Sequence, residues 1–92
     1  MVEKGKEGNL IVRGRVDSQN CQEFESEIMG VCNPGEDVRI DASELSYISS
    51  AGLRVLMKLK KSIKAEVTIE NVSPEIYEIL EVTGFTDFLK IE

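Results

Sequence analysis

The chain has no histidine and no tryptophan, and only two cysteines among its 92 residues. Without histidine there is no Ser-His-Asp triad, no histidine phosphoacceptor and no histidine-containing zinc site. A Ser-Lys dyad has its residue types but no short motif to support it, and two cysteines without histidine make a poor metal site. No catalytic residue, metal or cofactor is expected. No apolar run approaches the roughly 20 residues that span a bilayer, and M-V-E-K-G-K-E-G at the N-terminus lacks the apolar stretch of a signal peptide. Membrane insertion is not expected, and a cytoplasmic location is the default. Basic residues are the minority charge, 11 Lys and Arg against 17 Asp and Glu, which argues against nucleic acid as the main partner.

Hydrophobic residues at 41% and charged residues at 30% suit one soluble globular domain with a single modest core. Leu10, Val12 and Val16 alternate onto one face of a strand, with Arg13 and Arg15 on the other. Asp17, Ser18 and Asn20 supply helix-start chemistry, and Phe24, Ile28, Val31 and Cys32 then recur at helical spacing until Asn33-Pro34-Gly35. Cys21 and Cys32 in that one helix would lie roughly 16 Å apart along its axis, beyond disulfide reach. Val38, Ile40 and Ala42 share the face of a second strand. Leu53, Val55, Leu56, Leu59 and Ile63 form the apolar stripe of a second helix reaching about Ser62. Ala65, Val67 and Ile69 alternate again. Ser73 is an N-cap before Pro74, Ile76, Ile79 and Leu80 make the apolar face of a third helix, and Gly84 suits its C-terminal end. F-L-K-I-E ends the chain as a short strand.

The order β-α-β-α-β-α-β predicts mainly parallel pairing through right-handed crossovers. A sheet buried on both faces would have continuously apolar strands. These strands alternate, so all the helices are expected on one face, with the other largely exposed.

Between the second strand and second helix lies Y-I-S-S-A-G-L, residues 47–53. Either Ser49 or Ser50 could cap the orphan amides of the helix, at about 1 kcal/mol. Ala51 and Gly52 keep the first turn slim; glycine there costs up to ~1 kcal/mol against alanine, so close packing or a close partner is expected to benefit. The same helix start could accept an anion, a phosphoserine included.

The longer segment I-D-A-S-E-L-S-Y-I-S-S-A-G-L-R-V-L resembles the signature of STAS domains, in particular the bacterial anti-sigma factor antagonists. G-R-V-D at 14–17, N-V-S-P-E-I at 71–76 and L-E-V-T-G-F at 80–85 extend the likeness over nearly the whole chain. The resemblance implies one STAS domain over residues 1–92, with an α/β fold: a single mixed, mainly parallel sheet and helices packed chiefly on one face. It implies partner switching, in which the unphosphorylated antagonist binds an anti-sigma factor that is also a serine kinase, is released on phosphorylation, and is restored by a serine phosphatase. By position the phosphoacceptor is Ser50, with Ser49 a minor candidate, and Ala51, Gly52 and Leu53 complete the motif. The family's aspartate before the acceptor is Ser49 here, and only about nine residues precede Leu10. The alternatives are a non-switching STAS scaffold or transport-complex subunit, and, more weakly, a small-ligand site at the second helix.

Arg54, Lys58 and Lys61 share one helical face in a segment without acids, read either as a solvated face or as a docking strip beside Ser50. The expected partner-binding set is therefore Ser49, Ser50, Ala51, Gly52, Leu53, Arg54, Lys58 and Lys61. Tyr47 and Ile48 are read as core or loop anchors. Asp41 and Ser43 are read either as shaping the loop by hydrogen bonds or as touching the partner.

Overall fold

The alternation through L-I-V-R-G-R-V folds as two strands rather than one. The computed structural model, which describes all 92 residues, places β2 at Leu10–Val12 and β3 at Gly14–Val16. Gly14 sits between them at φ +82, a left-handed conformation that glycine adopts without a Cβ penalty. The break sends the two halves into different sheets while leaving the apolar side of each inward. An additional N-terminal strand, β1 at Val2–Lys4, pairs antiparallel with β2 in the register Val2 to Val12.

The remaining elements are α1 (Cys21–Met29), β4 (Val38–Asp41), β5 (Leu45–Ile48), α2 (Ser50–Ile63), β6 (Val67–Glu70), α3 (Pro74–Val82), a 3-10 turn (Phe85–Asp87) and β7 (Lys90–Ile91). The five-stranded sheet runs β1-β2-β4-β6-β7, parallel throughout apart from β1. Where a single sheet is expected, the chain forms a second one: a separate parallel pair joins β3 to β5, with Val16 opposite Ile48, because the turn at Gly14 carries the chain out of the larger sheet.

Register decides the faces of the larger sheet. Leu10 pairs with Ile40, Val38 with Val67, and Ile40 with Ile69, so these apolar side chains line one side. Phe24 and Ile28 of α1, Leu53, Leu56, Leu59 and Ile63 of α2, and Ile76 and Leu80 of α3 close over them in one buried cluster of 20 residues. Each fully buried side chain of this size contributes roughly 1.5–3 kcal/mol against solvent exposure. The opposite face carries Arg39, Thr68 and Lys90 in one register row, with Arg39 and Lys90 exposed. Helices on one face and an open polar face on the other agree with the strand alternation.

Helix α1 is shorter than its apolar stripe. It ends at Met29, and Val31 follows in a tighter turn, its amide donating to the Ile28 carbonyl at 3.3 Å. Gly30 is a weak helix former, and Pro34 disfavours helical backbone at Asn33. Cys32 therefore lies beyond the helix, packed half-buried against the core edge with Val31. Both cysteines are free thiols, and burial pushes the Cys32 thiol pKa up. The Asp17 carboxylate takes the Gln19 and Asn20 amides, and Asn20 Oδ1 takes the Asp17 amide, so these side chains shape the β3–α1 turn.

Helix α3 starts as its sequence indicates, with Ser73 Oγ accepting from the Ile76 amide at 3.2 Å and Pro74 in the first turn. Gly84 follows the helix at φ +79 and opens the 3-10 turn. No helix is long and apolar enough to cross a membrane.

Candidate functional site at the start of helix α2

Ser49 and Ser50 are adjacent in sequence and do different things. The Ser49 amide donates to the Val16 carbonyl at 2.8 Å, continuing the β3–β5 pairing by one residue. Its backbone is extended, φ −85 and ψ 172, while its carbonyl already accepts from Leu53 at 2.9 Å. Its hydroxyl oxygen accepts from the Gly52 amide at 3.3 Å. Those three bonds define an N-cap, occupied by Ser49 alone. Ser50 is the first helical residue, exposed, with no protein partner recorded for its hydroxyl.

The slim first turn has a packing cause. A Cβ on Gly52 would stand 2.7 Å from Val16 Cγ1 and 2.8 Å from Ile48 Cγ1, closer than carbon atoms tolerate. Gly52 thus lets α2 rest directly on the β3–β5 pair. Leu53, with Val55 and Leu56 after it, buries the inner side of the turn, which leaves Ser50 and Arg54 outward. Ala51 is half-buried.

Two other elements hold the surroundings. The Asp41 carboxylate accepts from the Ser43 amide at 2.9 Å and from Asn71 Nδ2 at 3.1 Å. Those donors, the Ser43 amide first, hold the Asp41 carboxyl pKa below its ordinary value. Asp41 thereby ties the β4–β5 loop to the β6–α3 loop, and Ser43 takes part through its backbone. Ile48 is buried. Tyr47 is half-buried beneath the Arg15 guanidinium, whose carbon lies 4.7 Å from the ring centroid, a cation–π contact. Arg15 meets Tyr47 only because β3 pairs with β5, a pairing that neither short strand signals in its sequence.

Arg54, Lys58 and Lys61 are all exposed along α2. Lys58 is tied to Glu25 of α1 at 3.4 Å, whereas no ion pair is found for Arg54 or Lys61. A shallow depression lined by Gln22, Glu25, Ser26, Met29 and Lys58 runs between α1 and α2. Its lining does not include the serine pair.

The family model described as "Mlab, STAS domain" matches residues 1–91. The chain belongs to the STAS domain family. BtrV of Bordetella bronchiseptica, named for an anti-sigma factor antagonist, is 33% identical over 91 residues, covering 92% of this chain and 78% of that protein. Among solved structures, a STAS domain anti-sigma-factor antagonist from Planctomyces limnophilus has a TM-score of 0.79 at 17% identity, covering all of this chain and 86% of the other. The anti-sigma factor antagonist SpoIIAA is similar in its unphosphorylated form, with a TM-score of 0.66, and in its phosphorylated form, with 0.62, both at 12% identity. These alignments cover all of this chain and 86% and 89% of the respective SpoIIAA chains. The structural likenesses establish the STAS fold: a mixed sheet with three helices.

Proposed function

We propose that this chain is an anti-sigma factor antagonist that works by partner switching, with Ser50 as its phosphoacceptor. Unmodified, it binds an anti-sigma factor that has serine kinase activity, through Ser49, Ser50, Ala51, Gly52, Leu53 and the outer edge of α2 at Arg54, Lys58 and Lys61. The kinase transfers the γ-phosphoryl group of ATP to Ser50 Oγ; the hydroxyl loses its proton, an O–P bond forms and ADP leaves. A serine phosphatase hydrolyses the phosphate and restores binding. The chain is the substrate of these steps and supplies no catalytic group, and the exchange is placed in the cytoplasm. BtrV carries the antagonist name at 33% identity, and SpoIIAA, which shares the fold, exists in phosphorylated and unphosphorylated forms.

The observation that carries the reading is the division of labour between the two serines. Ser49 already satisfies the Gly52 amide, so modifying Ser50 costs the helix no cap. A phosphate on Ser50 adds about 1.5 to 2 negative charges at the positive end of a helix dipole, which the fold tolerates and a docked partner does not. The alternative of a non-switching scaffold or transport-complex subunit rests on Ser49 standing where the family has aspartate. Serine and aspartate serve as N-caps about equally well, so the structural half of that job is still done here.

The reading is tested by measuring the affinity of the cognate anti-sigma factor for wild type, Ser50→Ala and Ser50→Asp. Ser50→Asp should bind at least tenfold more weakly while Ser50→Ala stays near wild type. Equal affinity for all three would rule out an electrostatic switch at this position.

A further inference from the structure

We propose that Arg54 captures the phosphate carried by Ser50, so that modification also withdraws a docking cation; this rests on the Ser50 reading above. The chain has four arginines. Arg13 lies between Glu3 and Glu44, Arg39 bonds Glu70, and Arg15 stacks on Tyr47. Arg54 alone has neither a carboxylate nor a ring as a partner, in a chain with 17 acidic side chains. Its five N–H donors are unspent.

Its position directs those donors to one place. Ser50 and Arg54 are four residues apart on α2 and both exposed, which sets their Cβ atoms about 5–6 Å from each other. Long helical side chains lean toward the helix N-terminus, so Arg54 covers the turn that starts at Ser50. A planar guanidinium takes two phosphate oxygens at once, which a lysine ammonium does not. No acidic residue in 50–64 competes for it, and the next cation along the stripe, Lys58, is already held by Glu25.

In the unmodified protein Arg54 is free to meet carboxylates on the partner. Once Ser50 carries phosphate, the guanidinium folds back one turn and its charge is neutralised within the chain. Phosphorylation thereby takes away an attraction as well as adding a repulsion.

The test installs phosphoserine at position 50 during translation, so no kinase or partner enters it, and follows the phosphate by 31P NMR against pH at low salt. The phosphate of wild type should titrate roughly 0.2–0.4 of a pH unit below that of Arg54→Gln. Arg54→Lys should fall between them, and Lys61→Gln, near the far end of the helix, should follow wild type. Superimposable curves for wild type and Arg54→Gln would overturn the capture, as would an equal shift in Lys61→Gln. A failed kinase reaction would instead count against the Ser50 reading and leave these curves unchanged.

Discussion

The open face of the five-stranded sheet and the outer edge of α2 are both exposed and both charged, yet they treat their charges in opposite ways. On and around the sheet face, Arg13 is shared by Glu3 and Glu44, Arg39 is met by Glu70, and Lys90 sits near Glu66 and Glu92. Along α2, Arg54, Lys60, Lys61 and Lys64 have no ion pair, and only Lys58 is held. Ion pairing within the chain leaves a surface little electrostatic reason to bind another molecule. Unpaired cations beside an exposed hydroxyl leave one that complements an acidic partner and responds to a phosphate. The difference is one of pairing rather than exposure: both surfaces are exposed, and only the edge of α2 leaves most of its cations without a carboxylate.

The largest way to break the comparison is to lift α2 off its seat. Gly52→Val should cost about 1–3 kcal/mol through overpacking against Val16 and Ile48, measured by urea denaturation. Loss of partner binding beyond that expected from the unfolded fraction would show that the seat of α2 matters to docking. Next in size is the cap: Ser49→Ala should destabilise by about 1 kcal/mol, whereas Ser49→Asp should match wild type. Equal stability of the alanine and aspartate variants would mean that Ser49 does not cap. Ser50→Ala should change stability by less than about 0.5 kcal/mol, since its hydroxyl is exposed.

Acid sharpens the picture at the loop below. The Asp41 carboxyl has a folded pKa below its unfolded value, so its contribution is present above the unfolded value, near 3.9 for a free aspartate. It is lost as pH falls through the lower, folded value. Urea midpoints at pH 7 and pH 3 should therefore differ less in Asp41→Asn than in wild type. An unchanged difference would show that Asp41 does not contribute to the acid sensitivity. The smallest expected effect is on the sheet face, where Arg39→Ala should change stability little and less still in high salt.

Much of the fold was legible in the sequence, and the parts that were not share a cause. Ser73-Pro74, the stripe from Leu53 to Ile63, and the alternation at Val38–Ile40 and Val67–Ile69 are local signals, and each element sits where its residues indicated. β1 escaped because three residues followed by a polar turn carry no periodicity, and its identity comes from pairing with β2. β5 escaped for the same reason: L-S-Y-I becomes a strand by lying beside G-R-V, some 30 residues away. The turn at Gly14 left the alternation undisturbed while moving the chain between sheets. The apolar stripe runs longer than helix α1 because Val31 and Cys32 continue it after the backbone has left the helix.

At the candidate site, the sequence singles out the serine pair but does not say which hydroxyl caps. That assignment depends on backbone angles and on the Ser49 amide reaching Val16, which requires the β3–β5 pair. Ser49 stands where the family has aspartate. As an N-cap it does the structural work of an acid, and Ser50 is left outward.

The most direct test of that division is to treat the chain with its cognate kinase and ATP, then map the phosphate by mass spectrometry. A single phosphate on Ser50 is predicted for wild type and Ser49→Asp, and none for Ser50→Ala. A phosphate on Ser49, or phosphorylation of Ser50→Ala at the wild-type rate and extent, would contradict it.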